Sequence, residues 1–558
     1  MSPFDAKCFI KARLYDNDNS CVIGKIQFFM INMTWLILFT LTILICGNVI
    51  NAQFMHARKF IRQNYYWQLR RKLMMNETRS SLGGQLELNP MELIANKILM
   101  SIKCQEIHEG LTSNNFLPSR NFLEVISEIE KSEVFKILRK MPKGAVLHAH
   151  ESAIVSLDYK LNNVTYRENL YVCDQNGSLQ LKFFKNPDKT CDWQLLSEVR
   201  RDLQQADAIN DRIRRSMTMI TENPRSAYST VDKAWEKFNS IFKFMHSWLS
   251  YRPIFEDLYY RVLQEFYEDN VMYAEIRSTL FSLHDFDRIY GSLEMAGILK
   301  NITDRFVRDH PDFLGVKIIY SPRRSINETK LDEYLKTLVQ LTEHYPNFVI
   351  GFDLVGQEDK GEPLIKFADK LNAVNPEIKF FFHAGETNWN GVSTDFNLFD
   401  ALLLNTKRIG HGYALTKHPL LWNLVQQMGI AVEICPISNQ VLSLVKDMRN
   451  HPATAMFALG SPVVVSSDDP GLWGVKGLSY DFYEAFMGLM SANSDLRSLK
   501  QLAMNSLIYS SMNSQEKNNA LIRWQDKWNI FINELVQPYL IDNRWQRLFQ
   551  PSLNSQYT

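Results

Sequence analysis

Apolar residues recur three and four positions apart from about residue 53 to 135, with Phe60, Tyr65, Trp67, Leu69 and Leu73 first and the stretch 91–100 after them. That spacing predicts a helical N-terminal extension. From about residue 136 the pattern changes to short, nearly continuous apolar runs at 271–276, 316–320, 348–354, 379–382 and 462–465. Such runs predict strands buried on both faces, and helical spacing at 231–248, 477–490 and 499–512 predicts helices packed outside them. The fold class that follows is α/β, a (β/α)8 TIM-like barrel over 136–540, with a tail at 541–558.

Four of the apolar runs end in ionisable residues. Val146-Leu147-His148-Ala149-His150-Glu151 follows the turn signal Met141-Pro142-Lys143-Gly144, and residues i and i+2 of a strand share a face, so His148 and His150 can reach one metal ion. Phe381-Phe382-His383-Ala384-Gly385-Glu386 places an imidazole and a carboxyl beside a glycine turn, and Arg408-Ile409-Gly410-His411-Gly412 holds a histidine between two glycines. Pro462 to Val465 leads into Ser466-Ser467-Asp468-Asp469-Pro470. In a (β/α)8 barrel every strand's C-terminal end opens on one face, so residues far apart in sequence converge there.

These motifs together resemble those of the adenosine deaminases. The longer runs FFHAGETNWNG, EICPISNQVL, VVVSSDDPGLWG and KGLSYDFYEAF are similar to the secreted branch, the adenosine deaminase-related growth factors or type 2 adenosine deaminases, over about residues 55 to 540. Four motifs in one order make a specific signal where each alone is weak. The resemblance implies an extracellular zinc enzyme that hydrolyses adenosine and 2′-deoxyadenosine to inosine and 2′-deoxyinosine plus ammonia, and a homodimer built by the helical extension. It also implies growth-factor activity through depletion of adenosine.

The chemistry has its own logic. A hydrolytic zinc site needs three or four nitrogen and oxygen ligands and one open position, a set that His148, His150, His383 and Asp468 supply for one Zn²⁺. Replacing an aromatic amine by hydroxide requires protonation of the ring nitrogen beside the attacked carbon, and Glu386 is placed as that donor. His411 either orients the water or takes its proton. Asp469 accepts a hydrogen bond from the water or from the purine's imidazole edge. Gly356 matches the position where, in the deaminases, a backbone N–H approaches the ligand's ring nitrogen; Glu358 and Asp359 beside it read as solvated or as supporting groups. Trp235 either covers the nucleoside or is buried in its own helix.

Composition narrows the classes further. The 558 residues are 46% apolar and 12% aromatic, enough for a large core, and a net charge of +1 argues against a dedicated nucleic-acid binder. Residues 35–46 form an apolar run too short to span a membrane and suited to a signal-peptide core within 30–52, cleaved after Ala52. An uncleaved signal-anchor is the alternative, and both leave the catalytic part outside the cell. Residues 1–29 form a polar extension upstream.

Of seven cysteines, Cys173 and Cys191 flank a polar segment where a stapling disulfide makes sense, and the resemblance implies the same bridge. Cys435, in an apolar strand, reads as a buried thiol. Glycosylation sequons stand at Asn76, Asn163, Asn176, Asn301 and Asn327. Residues 162–225 interrupt the barrel after its first strand; they resemble the family's insertion, which implies binding of a cell-surface receptor or glycan.

Two departures from the family pattern stand out. Glu151 occupies a position that is usually Asp, which bears on a ribose contact, and Arg323-Arg324 is a less typical strand end. The rival enzyme classes fit poorly: a cytidine-deaminase site needs P-C-x-x-C, and Cys435-Pro436 has no second cysteine three residues on. A two-metal phosphoesterase or amidohydrolase barrel shares the HxH and the late Asp but commonly bridges its metals through a carboxylated lysine or a second histidine pair, and no such lysine context stands here. The remaining alternative is a catalytically weak or inactive secreted growth factor that displays the insertion.

Overall fold

Eight parallel strands carry the apolar runs. They are β1 (Gly144–Val146), β2 (Val271–Ser278), β3 (Val316–Tyr320), β4 (Val349–Phe352), β5 in two pieces (Lys379–Phe380 and His383–Ala384), β6 (Arg408–His411), β7 (Ala431–Ile434) and β8 (Val463–Val465). Each pairs with the next in sequence, and β5 passes the ladder from one set of four neighbours to the other. Just past β1 the ring closes: the Asp468 N–H donates to the His148 carbonyl at 3.1 Å and the His150 N–H to the Asp468 carbonyl at 3.2 Å. The result is the expected (β/α)8 barrel.

The computed structural model describes Leu38 and residues 63–541. It divides into two units, Met1–Asn76 and Glu77–Thr558, each described by itself. In the first, the helix that begins at Gln63 exposes Tyr65, Tyr66, Trp67, Leu69 and Leu73. The expectations for 1–29, for 30–52 apart from Leu38, and for the tail beyond Ile541 lie outside the described residues. Among the described residues no helix is long and apolar enough to cross a membrane.

The helix Pro90–Thr112 starts where the sequence supplies a reciprocal cap: Asn89 accepts from the Glu92 N–H and Glu92 from the Asn89 N–H, both at 2.9 Å. The same Glu92 carboxylate receives Lys500 and Trp528, each at 2.7 Å, and so ties this helix to Leu496–Ile508 and Ser514–Ile541.

Between β1 and the helix Val231–Leu249 the chain forms more order than its polar composition suggests. Leu170–Gln175 and Ser178–Phe183 make an antiparallel hairpin, with Gln194–Leu195 as a third strand. Its two-residue turn is Asn176-Gly177, both at positive φ (54° and 81°), which is the dipeptide that a type I′ hairpin requires. The Cys173–Cys191 bridge is present, with Cα atoms 6.3 Å apart.

The helix expected over 477–490 instead starts at Ser479 and becomes a π-helix over Glu484–Leu489. Burial pushes the Glu484 carboxyl up to about 8, and its Oε2 has no hydrogen-bond partner. A raised folded-state value means that folding takes up a proton between about pH 4.5 and 8, so stability is kept at low pH and lost as pH rises through that window. At ~1.4 kcal/mol per unit the loss is roughly 4 kcal/mol by pH 8. Glu484→Gln, neutral throughout, is expected to flatten the difference in unfolding free energy between pH 5 and pH 8 and to be the more stable form at pH 8; equal slopes for the two proteins in urea unfolding would contradict this.

Candidate active site

The strand ends converge as the barrel requires. His148 and His150 lie just beyond β1, on a segment that bonds to Asp468 and Arg277 across the barrel mouth and not in a regular strand ladder. Donor atoms of His148, His150 and His383 lie within 4.8 Å of one another, as do those of His150, Asp468 and Asp469. His148 Nε2 is 3.5 Å and His150 Nε2 3.2 Å from Asp468 Oδ1. Ligands at about 2.1 Å from a tetrahedral ion sit roughly 3.4 Å apart, so this spacing suits one shared cation.

Buried atoms without partners test the fit independently. His148 Nε2 and Asp468 Oδ1 are both buried and make no hydrogen bond. The other nitrogens of two rings are committed: His148 Nδ1 meets Glu433 Oε2 at 2.7 Å, and His383 Nδ1 meets Asp353 Oδ2 at 2.6 Å. A carboxylate on Nδ1 fixes the tautomer that leaves the Nε2 lone pair for a metal. Burial presses His383 down to about 3, so it is neutral, the form that can ligate. The four residues fit a divalent ion.

Asp353 and Glu433 are held in turn by Arg277, whose guanidinium donates to Asp353 at 2.8 Å, to Glu433 at 2.7 Å and to the carbonyls of Leu147 and Phe381 at 3.1 and 3.0 Å. Arg408 grips the far side of Glu433 at 2.6 Å and Glu275 at 2.7 Å. All five charges are at most 1% exposed. The sequence reading missed this network. Its signal was a charge inside an apolar strand, as in Tyr-Ala-Glu-Ile-Arg of β2, where a solvated face cannot explain it.

Glu386 follows Gly385, whose φ of 78° and close approach to Leu398 exclude a side chain. Burial, with the charges of Asp468 and Glu358 adding to it, pushes the Glu386 carboxyl well above its ordinary range and so favours the protonated acid. Glu358 is not solvated: it is 3% exposed and accepts from the N–H groups of Gly385 and Glu386 at 3.2 and 3.0 Å and from Asn397 at 2.8 Å. It sets the turn that aims Glu386. Arg324, whose strand end had looked untypical, is buried beside it and donates to the His383 carbonyl at 2.7 Å.

His411 Nε2 lies 3.7 Å from Glu386 and 3.8 Å from Asp468, and burial, helped by His148, holds the ring well below its usual range and neutral. His411 and Asp468 both sit in the left-handed region at φ 59° and 56°, strain that clusters where function fixes a side chain's aim. Gly410 is needed for packing, since a Cβ there would lie 3.2 Å from the His148 ring. Of the adjacent carboxyls, Asp468 faces the imidazoles and is ionised, while burial and the Asp468 charge push Asp469 up; its Oδ1 is buried without a partner.

Three other residues had been singled out. Gly356 has φ 108° and open space where a Cβ would stand. Glu151 is buried against Ser278, and burial pushes it up to about 7. Trp235 is 6% exposed in its helix, edge-on to Phe238, which stacks on Trp473.

Comparison with known proteins shows the family. The sequence model of the adenosine deaminase family matches residues 214–527, and that of the adenosine/AMP deaminase N-terminal region matches residues 40–138. An adenosine deaminase of Phlebotomus duboscqi is 46% identical over 82% of this chain and 90% of its own length. The chain belongs to the adenosine deaminase family. Adenosine deaminase 2 of Homo sapiens is 42% identical over 84% of this deaminase and 93% of the human protein. Among solved structures, an amidohydrolase of Burkholderia ambifaria with bound Zn aligns with TM-score 0.52 at 17% identity, covering 72% of this deaminase and 95% of that chain. The N6-mAMP deaminase of Arabidopsis aligns with TM-score 0.51 at 17% identity over 70% and 99%. At that identity the likeness is one of fold. Family membership makes the chain a hydrolase of the adenosine deaminase type.

Proposed function

We propose that this family member is a zinc-dependent deaminase of adenosine and 2′-deoxyadenosine that works outside the cell. The observation that carries the reading is the pairing of the buried Glu386 carboxyl, held above its ordinary range by burial, with buried, partnerless ligand atoms at the same barrel mouth. His148, His150, His383 and Asp468 would hold a divalent ion, which would make hydroxide available near neutrality by lowering the pKa of a water from ~16 to about 7.

Hydroxide adds to C6 of the purine, the C6–N1 π electrons move to N1, and N1 takes the Glu386 proton. The proton of the new C6 hydroxyl passes to the amino group, which leaves as ammonia with the C–N electron pair as C6=O forms, giving the 6-oxopurine, and the proton lost when water became hydroxide restores Glu386. Gly356 offers its N–H to a ring nitrogen, Asp469, its carboxyl pushed up by burial and the Asp468 charge, donates a hydrogen bond to N7 at the other edge, Glu151 meets the ribose and Trp235 belongs to the aromatic wall over the nucleoside.

Several features support the extracellular setting: the apolar run at 35–46, the Cys173–Cys191 bridge, and the exposure of the sequon asparagines Asn76, Asn163, Asn176, Asn301 and Asn327. The exposed aromatics Tyr65, Tyr66 and Trp67 of the helix that begins at Gln63 suit a homodimer, and the stapled hairpin over 170–183 suits a receptor or glycan contact through which a growth-factor role would act. The test is direct: the purified chain is expected to contain zinc and to convert adenosine to inosine with one ammonia released per turnover. A zinc-free, inactive protein with mitogenic activity would overturn the reading. His383→Ala is expected to lose the metal, and unchanged zinc stoichiometry would remove His383 from the ligand set.

A further inference from the structure

Behind His411, two side chains form a hydrogen-bonded line that ends on its ring. The line starts from a donor with no alternative polarity, the backbone N–H of Ala453, which donates to His451 Nδ1 at 3.0 Å. Burial presses His451 down to about 3, so the ring is neutral. A neutral imidazole that accepts at Nδ1 carries its proton on Nε2. His451 Nε2 therefore donates to Asn439 Oδ1 at 2.9 Å, which fixes the amide's orientation and turns its NH2 toward His411 Nδ1 at 3.2 Å.

His411 Nδ1 is thus an acceptor, and its proton sits on Nε2, the nitrogen that faces Glu386 and Asp468. Asn439 and His451 are 0% and 1% exposed. Adding a second proton to His411 would set its Nδ1–H against the Asn439 N–H with no acceptor between them.

We propose that Asn439 and His451 are positioning residues that hold His411 as the neutral imidazole with its proton on Nε2, so that His411 donates a hydrogen bond to the attacking oxygen and does not take the water's proton. The inference rests on the deaminase reading above and removes one of the two roles that the sequence left open for His411.

The experiment uses the full-length, zinc-loaded chain with adenosine. Asn439→Asp presents acceptor oxygens to both rings, which draws the His411 proton to Nδ1 and leaves Nε2 bare. A donor role then predicts that kcat falls roughly a hundredfold, with KM within about threefold and zinc content unchanged. A base role predicts that kcat is held or raised, because a bare Nε2 accepts protons.

His451→Leu, which frees the Asn439 amide to turn, is expected to lose about tenfold in kcat. His451→Gln, whose amide oxygen can accept from Ala453 and whose NH2 can donate to Asn439, is expected to recover most of that loss. Asn439→Asp at or above the wild-type rate, or His451→Gln falling as far as His451→Leu, overturns the proposal. If Asn439→Asp loses zinc or fails to fold, the leucine and glutamine pair decides alone. A wild-type chain that does not deaminate adenosine sinks the function proposed above and is told apart by that control.

Discussion

Glu386→Gln is expected to keep its zinc and lose on the order of 10²–10⁴ of its turnover. The amide fills the same space between the turn set by Glu358 and the ring of His411, so metal binding and KM change little. What it cannot do is deliver a proton to N1. A loss in kcat and kcat/KM together, with KM steady, is the signature of a group that acts only in the transition state. The working form of Glu386 is the acid, and its raised pKa favours that form. In the wild type, kcat should hold through neutrality and fall as pH rises through the raised value. Wild-type turnover in Glu386→Gln would end the proton-donor assignment.

Arg277→Met is expected to cost 3–5 kcal/mol in folding stability, in roughly the range measured when one partner of a buried ion pair is removed. Methionine fills part of the space, but Asp353 and Glu433 remain buried with one counter-charge fewer. The same two carboxylates orient His383 and His148, so zinc affinity should drop about 10–100-fold as well. An exposed pair such as Arg167 with Asp257 offers the contrast: its removal should change stability by less than ~1 kcal/mol. Urea unfolding and zinc titration of both variants check this. An Arg277→Met protein as stable as the Arg167 variant would show that the buried network does not hold the barrel mouth.

The histidines and carboxylates of the site were legible because each stands at the end of an apolar run, and barrel geometry alone brings such ends together. Their supports were not. Asp353 and Glu433 lie 76 and 156 residues from Arg277. No local pattern links residues so far apart, and a single charge within a strand departs only slightly from an apolar reading. For Glu358 the sequence left a solvated and a supporting role open, because Val-Gly-Gln-Glu-Asp resembles a solvated turn until Gly385 and Glu386 are seen donating to it. The hairpin at Asn176-Gly177 was missed because the dipeptide was read as part of a sequon and not as a turn. Asn439 and His451 carried no sequence signal apart from their residue types, since their meaning lies in hydrogen-bond direction.

The central claim is that His148, His150, His383 and Asp468 hold one divalent ion without which no deamination occurs. Metal-stripped protein titrated with zinc, with the absorbance change from adenosine to inosine followed at each addition, tests it most directly. Activity should rise in proportion to zinc and reach its plateau at one ion per chain. Full activity in the stripped protein, or a plateau at two ions per chain, would contradict it.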